Sequence, residues 1–171
     1  MLDLTQFING PSATGQLQDN GADVLKVEPA IGEGLRQVLP QRHTPWSLLP
    51  SLIPLAALQV LAGGMMNSGF EIYNRGKRSM TLDLKHPDAR GVMKRLVKWA
   101  DVLTENFRAG VMDRLGFGYE VVKEWNPQLI YASNSGFGPE GEWAPRPSYD
   151  GMAQAFSGVL LSNGGGPSHL P

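Results

Sequence analysis

Residues 74–120 constrain the fold most. They open on a basic turn, Asn74-Arg75-Gly76-Lys77-Arg78-Ser79, and pass into a short apolar run, Met80-Thr81-Leu82-Asp83-Leu84. Lys85-His86-Pro87 then leads into an amphipathic segment. Pro87 suits the first turn of a helix, and Val92, Leu96, Val97 and Ala100 share one face, so a helix is predicted over 86–100. Directly after it comes Asp101-Val102-Leu103-Thr104-Glu105-Asn106-Phe107, a second strand that ends in an amide and an aromatic ring. Strand, crossover helix and strand make a parallel unit. In an open α/β sheet, ligands sit in the crevice beyond the carboxyl ends of the strands. That edge carries Lys85, Asn106, Phe107 and, one turn later, Arg114. Two cations, an amide and an aromatic face suit an adenine nucleotide carrying phosphates.

The rest of the chain repeats this alternation. Strands are predicted over 1–4, 23–28, 79–83 and 129–133, and helices over 10–20, 111–115, 119–125 and 149–157. Gly21 stops the first helix, and Gly116 and Pro127 break the two short ones. A loop rich in Gly and Pro covers 137–148. The fold class is therefore α/β: a Rossmann-like open, mostly parallel sheet with crossover helices. One domain is expected over 1–162, followed by a Gly/Pro-rich tail over 163–171. A chain of 171 residues with 42% hydrophobic and 18% charged content can bury a real core.

Charge and composition exclude several classes. A net charge of −1 gives no global attraction to nucleic acid or to an anionic membrane. The absence of cysteine removes disulfides, a thiolate nucleophile and cysteine metal sites, and it fits a cytoplasmic protein. Met1-Leu2-Asp3-Leu4 lacks the basic start and apolar core of a signal peptide. Residues 44–70 carry no charge and 48–61 are strongly apolar, but Pro50 and Pro54 interrupt them and no basic flank marks a topology. We read 48–61 as a buried or partner-covered helix, not a membrane span. No zinc-ligand spacing, Walker motif or nucleophile elbow is present, and no metal is expected. Gly32-Glu33-Gly34 lacks the third glycine of a dinucleotide fingerprint.

Several segments, in this order, resemble the family III CoA-transferases, the group that includes formyl-CoA transferase, the carnitine CoA-transferases and α-methylacyl-CoA racemase. They are Leu2-Asp3-Leu4-Thr5 with Gly10-Pro11, then Gly21-Ala22-Asp23-Val24-Leu25-Lys26-Val27-Glu28-Pro29, the 74–120 stretch, and Tyr149-Asp150-Gly151-Met152-Ala153-Gln154-Ala155. Residues 30–70 match less well. The resemblance implies most of the large-domain core of such an enzyme, with coenzyme A bound as part of an acyl-CoA substrate and a carboxylic acid as acceptor. It places Ile8 and Asn9, in the first strand-to-helix turn, at CoA-contacting positions. Lys85, Asn106, Phe107 and Arg114 follow, with Arg146 and Tyr149 on the pocket loop. Arg75, Lys77 and Arg78 belong to the matching motif as further cations.

Asp150 corresponds to an acidic residue near the acyl site, where it would orient or tune the thioester. By residue type alone Asp150 is also a good helix N-cap, and Asn106 a good strand-end turn residue. The racemase branch has a proton-transferring histidine where Tyr149 stands. His43, His86 and His169 fall elsewhere, so the resemblance favours acyl-CoA transfer over racemisation. Formyl-CoA transferase has glutamine at the position of Ile8 and arginine at that of Pro29, so formyl or oxalyl specificity is not implied. In the family an aspartate attacks the thioester and passes through an anhydride and an aspartyl-CoA thioester. That aspartate is expected beyond Pro171. Two readings follow: a CoA-transferase fragment, inactive alone, or a non-catalytic CoA-binding remnant or subunit. The family also implies an interlocked homodimer.

Overall fold

The computed structural model describes residues 1–37 and 68–164. Five strands, β1 (Leu2–Asp3), β2 (Leu25–Glu28), β3 (Arg78–Thr81), β4 (Val102–Glu105) and β5 (Ile130–Ser133), form one sheet in the order β3-β2-β1-β4-β5. Every adjacent pair is parallel, with Leu2 between Leu25 and Leu103, and Asp3 between Lys26 and Thr104. The chain winds outward from β1 to β2 and β3, then returns to the other side of β1 for β4 and β5. That reversal is the topological switch point, and the crevice beyond the carboxyl ends of β1 and β4 is its consequence.

Helices connect the strands. They are α1 (Asn9–Asp19), α2 (Gly34–Gln37), α3 (Ser68–Asn74), α4 (Ala89–Trp99), α5 (Val111–Leu115), α6 (Tyr119–Trp125), α7 (Asp150–Ser157) and α8 (Val159–Asn163). The core gathers Leu2, Leu4, Val27 and Leu103 from the strands with Ala89, Met93, Val97, Met112, Phe117 and Val122 from the helices. Buried parallel strands are rich in apolar residues, which is why the runs around Leu2, Leu4, Val27 and Leu103 were legible as strands.

Sequence and structure differ in informative places. Helix α4 starts at Ala89, not at His86, because the residues before it bond as tight turns, Ala89 N to His86 O and Gly91 N to Asp88 O. Asp83 Oδ1 accepts from Lys85 N at 2.9 Å, and His86 Nδ1 accepts from Asp88 N at 3.2 Å. Its buried stripe is Ala89, Met93 and Val97, with Leu96 only partly buried at its flank. α5 and α6 keep the predicted ends, and Gly116 closes α5 at φ 80°, a left-handed cap that a side chain would strain. α2, α3 and α8 were not anticipated. α8 runs through Asn163, where a tail was expected. Segment 48–61, His43 and residues 165–171 lie outside the described residues. No described helix is long and apolar enough to cross a membrane.

The basic turn lies away from the carboxyl edge. Arg78 forks onto Asp23 at 3.0 and 2.6 Å, and Arg75 pairs with Asp19. Lys77 is drawn inward, its side chain 1% exposed, to Asp3 at 3.0 Å, Thr14 Oγ1 at 2.7 Å and Asn74 Oδ1 at 2.9 Å. These three cations pair with carboxylates and line neither cleft described below.

Candidate functional site

The site begins with β1. Asp3 is fully buried and organises the turn that follows. Its Oδ1 accepts from Thr5 N at 2.9 Å and from Thr5 Oγ1, and its Oδ2 accepts from Thr14 Oγ1 at 2.7 Å. Burial opposes its charge, but the ammonium groups of Lys26 and Lys77 and the two hydroxyls outweigh it and hold the carboxyl below its ordinary pKa. For Lys77, burial is the larger effect and pulls the ammonium down despite Asp3. Lys26, also buried, donates to Thr5 O at 2.9 Å.

Asn106 joins this turn to the end of β4. Its Nδ2 donates to Gln6 O and its Oδ1 accepts from Gln6 N, both at 2.8 Å. A backbone unit is thereby clamped by a side chain 100 residues away. Glu105, just before it, is buried and accepts from Phe107 N at 2.8 Å; burial pushes its carboxyl up, and Asp113 adds to that.

Two adjoining clefts open at this edge. The wider, about 610 Å³, is lined by Gln6, Phe7, Ile8 and Asn9 from the turn after β1, and by Asn106, Phe107 and Arg108 from the turn after β4. Its far wall is Asn134, Gly136, Pro147, Ser148, Tyr149, Asp150 and Ala153. The narrower, about 340 Å³, lies over β1, β2 and β3 and includes Glu28, Glu33, Asp83, Lys85 and Phe107. Phe107 lines both, while also packing on the core. Glu28 is buried yet its carboxyl lies below the ordinary value, because the Arg36 fork at 2.7 and 2.8 Å and Ser79 at 2.6 Å outweigh desolvation.

Most sequence-predicted positions therefore converge. Ile8, Asn9, Asn106, Phe107, Tyr149 and Asp150 share the wider cleft, and Lys85 lines the narrower one. Arg114 and Arg146 line neither. Arg114 is exposed on α5, and Arg146 lies on the Trp143 ring at 3.8 Å. The Asn106 amide pairs with both backbone groups of Gln6 while lining the wider cleft. Asp150 does not cap its helix: Met152 N and Ala153 N bond to Tyr149 O, and the Asp150 carboxylate accepts from Gln154 Nε2. Sequence reasoning missed Arg108, although it directly follows Asn106-Phe107, and missed Phe7 and Glu33, whose roles depend on contacts across the fold.

The chain as a whole matches the family model for CoA-transferase family III, over residues 1–171. It belongs to that family. It is 41% identical over 165 residues to the acetyl-CoA:oxalate CoA-transferase of Acetobacter aceti, covering 96% of this chain and 37% of the relative. It is 39% identical over 168 residues to the succinyl-CoA:mesaconate CoA-transferase of Haloarcula hispanica, covering 96% of this chain and 38% of the relative. Among solved structures, a CaiB/BaiF family protein from Brucella suis superposes with TM-score 0.75 at 38% identity, over 94% of this chain and 38% of that one. Rv3272 from Mycobacterium tuberculosis does so with TM-score 0.73 at 36% identity, over 93% and 37%. The family III chain thus spans well under half the length of these relatives.

Proposed function

We propose that the wider cleft binds the coenzyme A part of an acyl-CoA, and that the chain contributes this half of an acyl-CoA:carboxylate CoA-transferase. The observation that carries the reading is the convergence of Ile8, Asn9, Asn106, Phe107, Tyr149 and Asp150 from three separate turns on one crevice at the switch point. CoA brings a pyrophosphate and a ribose phosphate, and guanidinium and ammonium groups pair with phosphate oxygens. Arg108 at the cleft, Lys85 beside it and Arg114 one turn away are the cations that serve this. Phe107 offers a ring for the adenine. Asp150, the carboxylate among the cleft-lining residues, orients the thioester.

In the family the attacking aspartate lies in a segment that follows the Gly/Pro-rich stretch, whereas Asp150 corresponds to a separate acidic residue near the acyl site. We therefore assign the nucleophile to a residue other than those described, and expect residues 1–171 to bind CoA without turning it over. The names of the relatives, acetyl-CoA:oxalate and succinyl-CoA:mesaconate transferases, support acyl-CoA and carboxylate substrates. A cytoplasmic homodimer is the setting that the family resemblance supports.

Calorimetry with CoA tests the binding. One charge-assisted contact is worth about 1.5–3 kcal/mol, so Arg108→Ala should weaken CoA about tenfold to a hundredfold. Lys85→Ala/Arg114→Ala should weaken it too, and added salt should reduce these differences. Equal affinity in all three proteins removes these cations from the site. Exchange between acyl-CoA and carboxylate by this chain, abolished in Asp150→Asn, would instead make Asp150 the nucleophile.

A further inference from the structure

Phe7 is the one non-glycine residue at positive φ among the described residues, at 62°. A left-handed backbone is unfavourable for a residue with a side chain and persists only where its surroundings impose it. Here the imposition is visible. Thr5 N is held by Asp3, Gln6 N by Asn106 and Phe7 N by Glu33 Oε2 at 3.0 Å, so three successive amides each have a side-chain acceptor.

Glu33 is itself braced. It is 1% exposed, its Oε2 also accepts from Leu35 N at 2.9 Å, and its own amide donates to Glu28 Oε2 at 3.1 Å. Its other oxygen, Oε1, is buried without a hydrogen-bond partner. A buried carboxylate that leaves one oxygen unpaired is costly, and it is kept where its other contacts fix something that matters. Gly34 completes the seat: a Cβ there would lie 2.6 Å from Phe7 Cζ. The ring thus passes over a bare backbone and meets Tyr149 edge-on, with centroids 6.1 Å apart and planes at 88°. Both rings line the wider cleft, beside Asp150.

We propose that Phe7 is a specificity-determining residue that closes the acyl end of the cleft with Tyr149 and limits the length of acyl group accepted there, Glu33 being the positioning residue that holds it. This rests on the CoA reading above, which puts the thioester beside Asp150. The short-acyl side of such a wall is apolar and fixed. A longer chain meets the Phe7 ring, which projects from a backbone held by Glu33 and is seated between Gly34 and Tyr149.

The test measures binding of free CoA, acetyl-CoA and octanoyl-CoA to the 171-residue chain by calorimetry. Phe7→Gly removes the wall, and glycine adopts this φ without strain. Octanoyl-CoA should tighten about tenfold relative to acetyl-CoA, with free CoA little changed. Gly34→Ala, which displaces the ring without altering it, should shift the ratio the same way. Glu33→Ala should behave like Phe7→Gly, while Glu33→Gln, which keeps an acceptor for both amides, should restore the wild-type ratio. An octanoyl-to-acetyl ratio identical in wild type, Phe7→Gly and Gly34→Ala overturns the inference while CoA binding stands. A wild-type ratio in Glu33→Ala removes Glu33 from the role. No CoA binding by the wild type overturns the coenzyme reading and this inference together.

Discussion

The two walls of the wider cleft are built differently. On the β1/β4 side, Leu2 and Leu103 are fully buried, Asp3 is locked among two lysines and two threonines, and the amides of Thr5, Gln6 and Phe7 each have a side-chain partner. On the other side, α7 and α8 contain no buried residue, and Phe156 is 57% and Leu161 54% exposed. α7 is tied down chiefly by rings: Phe156 meets Trp143 at 4.8 Å and Phe137 at 5.5 Å, and these two come from the Gly/Pro-rich loop. One wall is fixed by the interior of the sheet, and the other by a small aromatic cluster on the surface. Recognition residues of both kinds face the same space. The positions that set backbone geometry lie on the first wall, and the candidate chemical group, Asp150, lies on the second.

The sharpest way to break this contrast is to unlock the first wall. Asp3→Ala leaves Lys77 buried without its carboxylate and should cost about 3–5 kcal/mol in urea denaturation. Phe156→Ala loses mainly ring contacts and should cost about 1 kcal/mol. Similar losses from the two would show that the walls are equally anchored.

A smaller effect is expected from the clamp that joins the two turns of the first wall. Asn106→Ala unpairs the N–H and the C=O of Gln6 and should cost about 2 kcal/mol. Because Ile8 and Asn9 follow directly, CoA affinity should fall as well. Asn106→Asp, which keeps the acceptor and loses the donor, should fall between the two. Affinity unchanged in Asn106→Ala would show that the turn after β1 holds its shape unaided.

The smallest effects lie in the pH dependence. Asp3 and Glu28 have folded pKa values below their ordinary 3.8 and 4.5, so the unfolded chain binds more protons as pH falls. Their stabilisation is complete above about pH 4.5 and is lost as pH falls through the lower folded values. Glu105 runs the other way: its folded carboxyl is raised, so the folded chain holds the proton longer and stability declines as pH climbs above its ordinary 4.5. Glu105→Gln should flatten that decline and leave the acid limb unchanged in denaturation series at several pH values. An acid limb that moves with Glu105 would place the titration on the wrong strand.

The same contrast explains what the sequence disclosed. Strand-ending Asn106-Phe107, helix-ending Gly116 and the 3.6-residue stripe on α4 are local patterns, and they located the sheet edge and most of the cleft. Lys77 looked like a phosphate-binding cation in its motif, but its partner Asp3 is 74 residues away and only the fold brings them together. The Asn106 clamp was hidden for the same reason: Gln6 cannot be recognised as its partner from spacing. Glu33 and Gly34 stood in an incomplete glycine pattern, and their use became visible only once the Phe7 ring was seen to cross Gly34.

The placement of β1 at the centre of the sheet has a kinetic consequence. Leu2 and Asp3 find β2 early in synthesis, but their second neighbour, Leu103-Thr104, is made about a hundred residues later. Until then one side of β1 is an unpaired apolar edge, and the Asp3 carboxylate has only part of its eventual shelter. Such an edge pairs readily with any other strand that presents itself, including that of a neighbouring nascent chain. A ribosome pause before residues 102–105 have left the exit tunnel would prolong that exposure, and a later one would not.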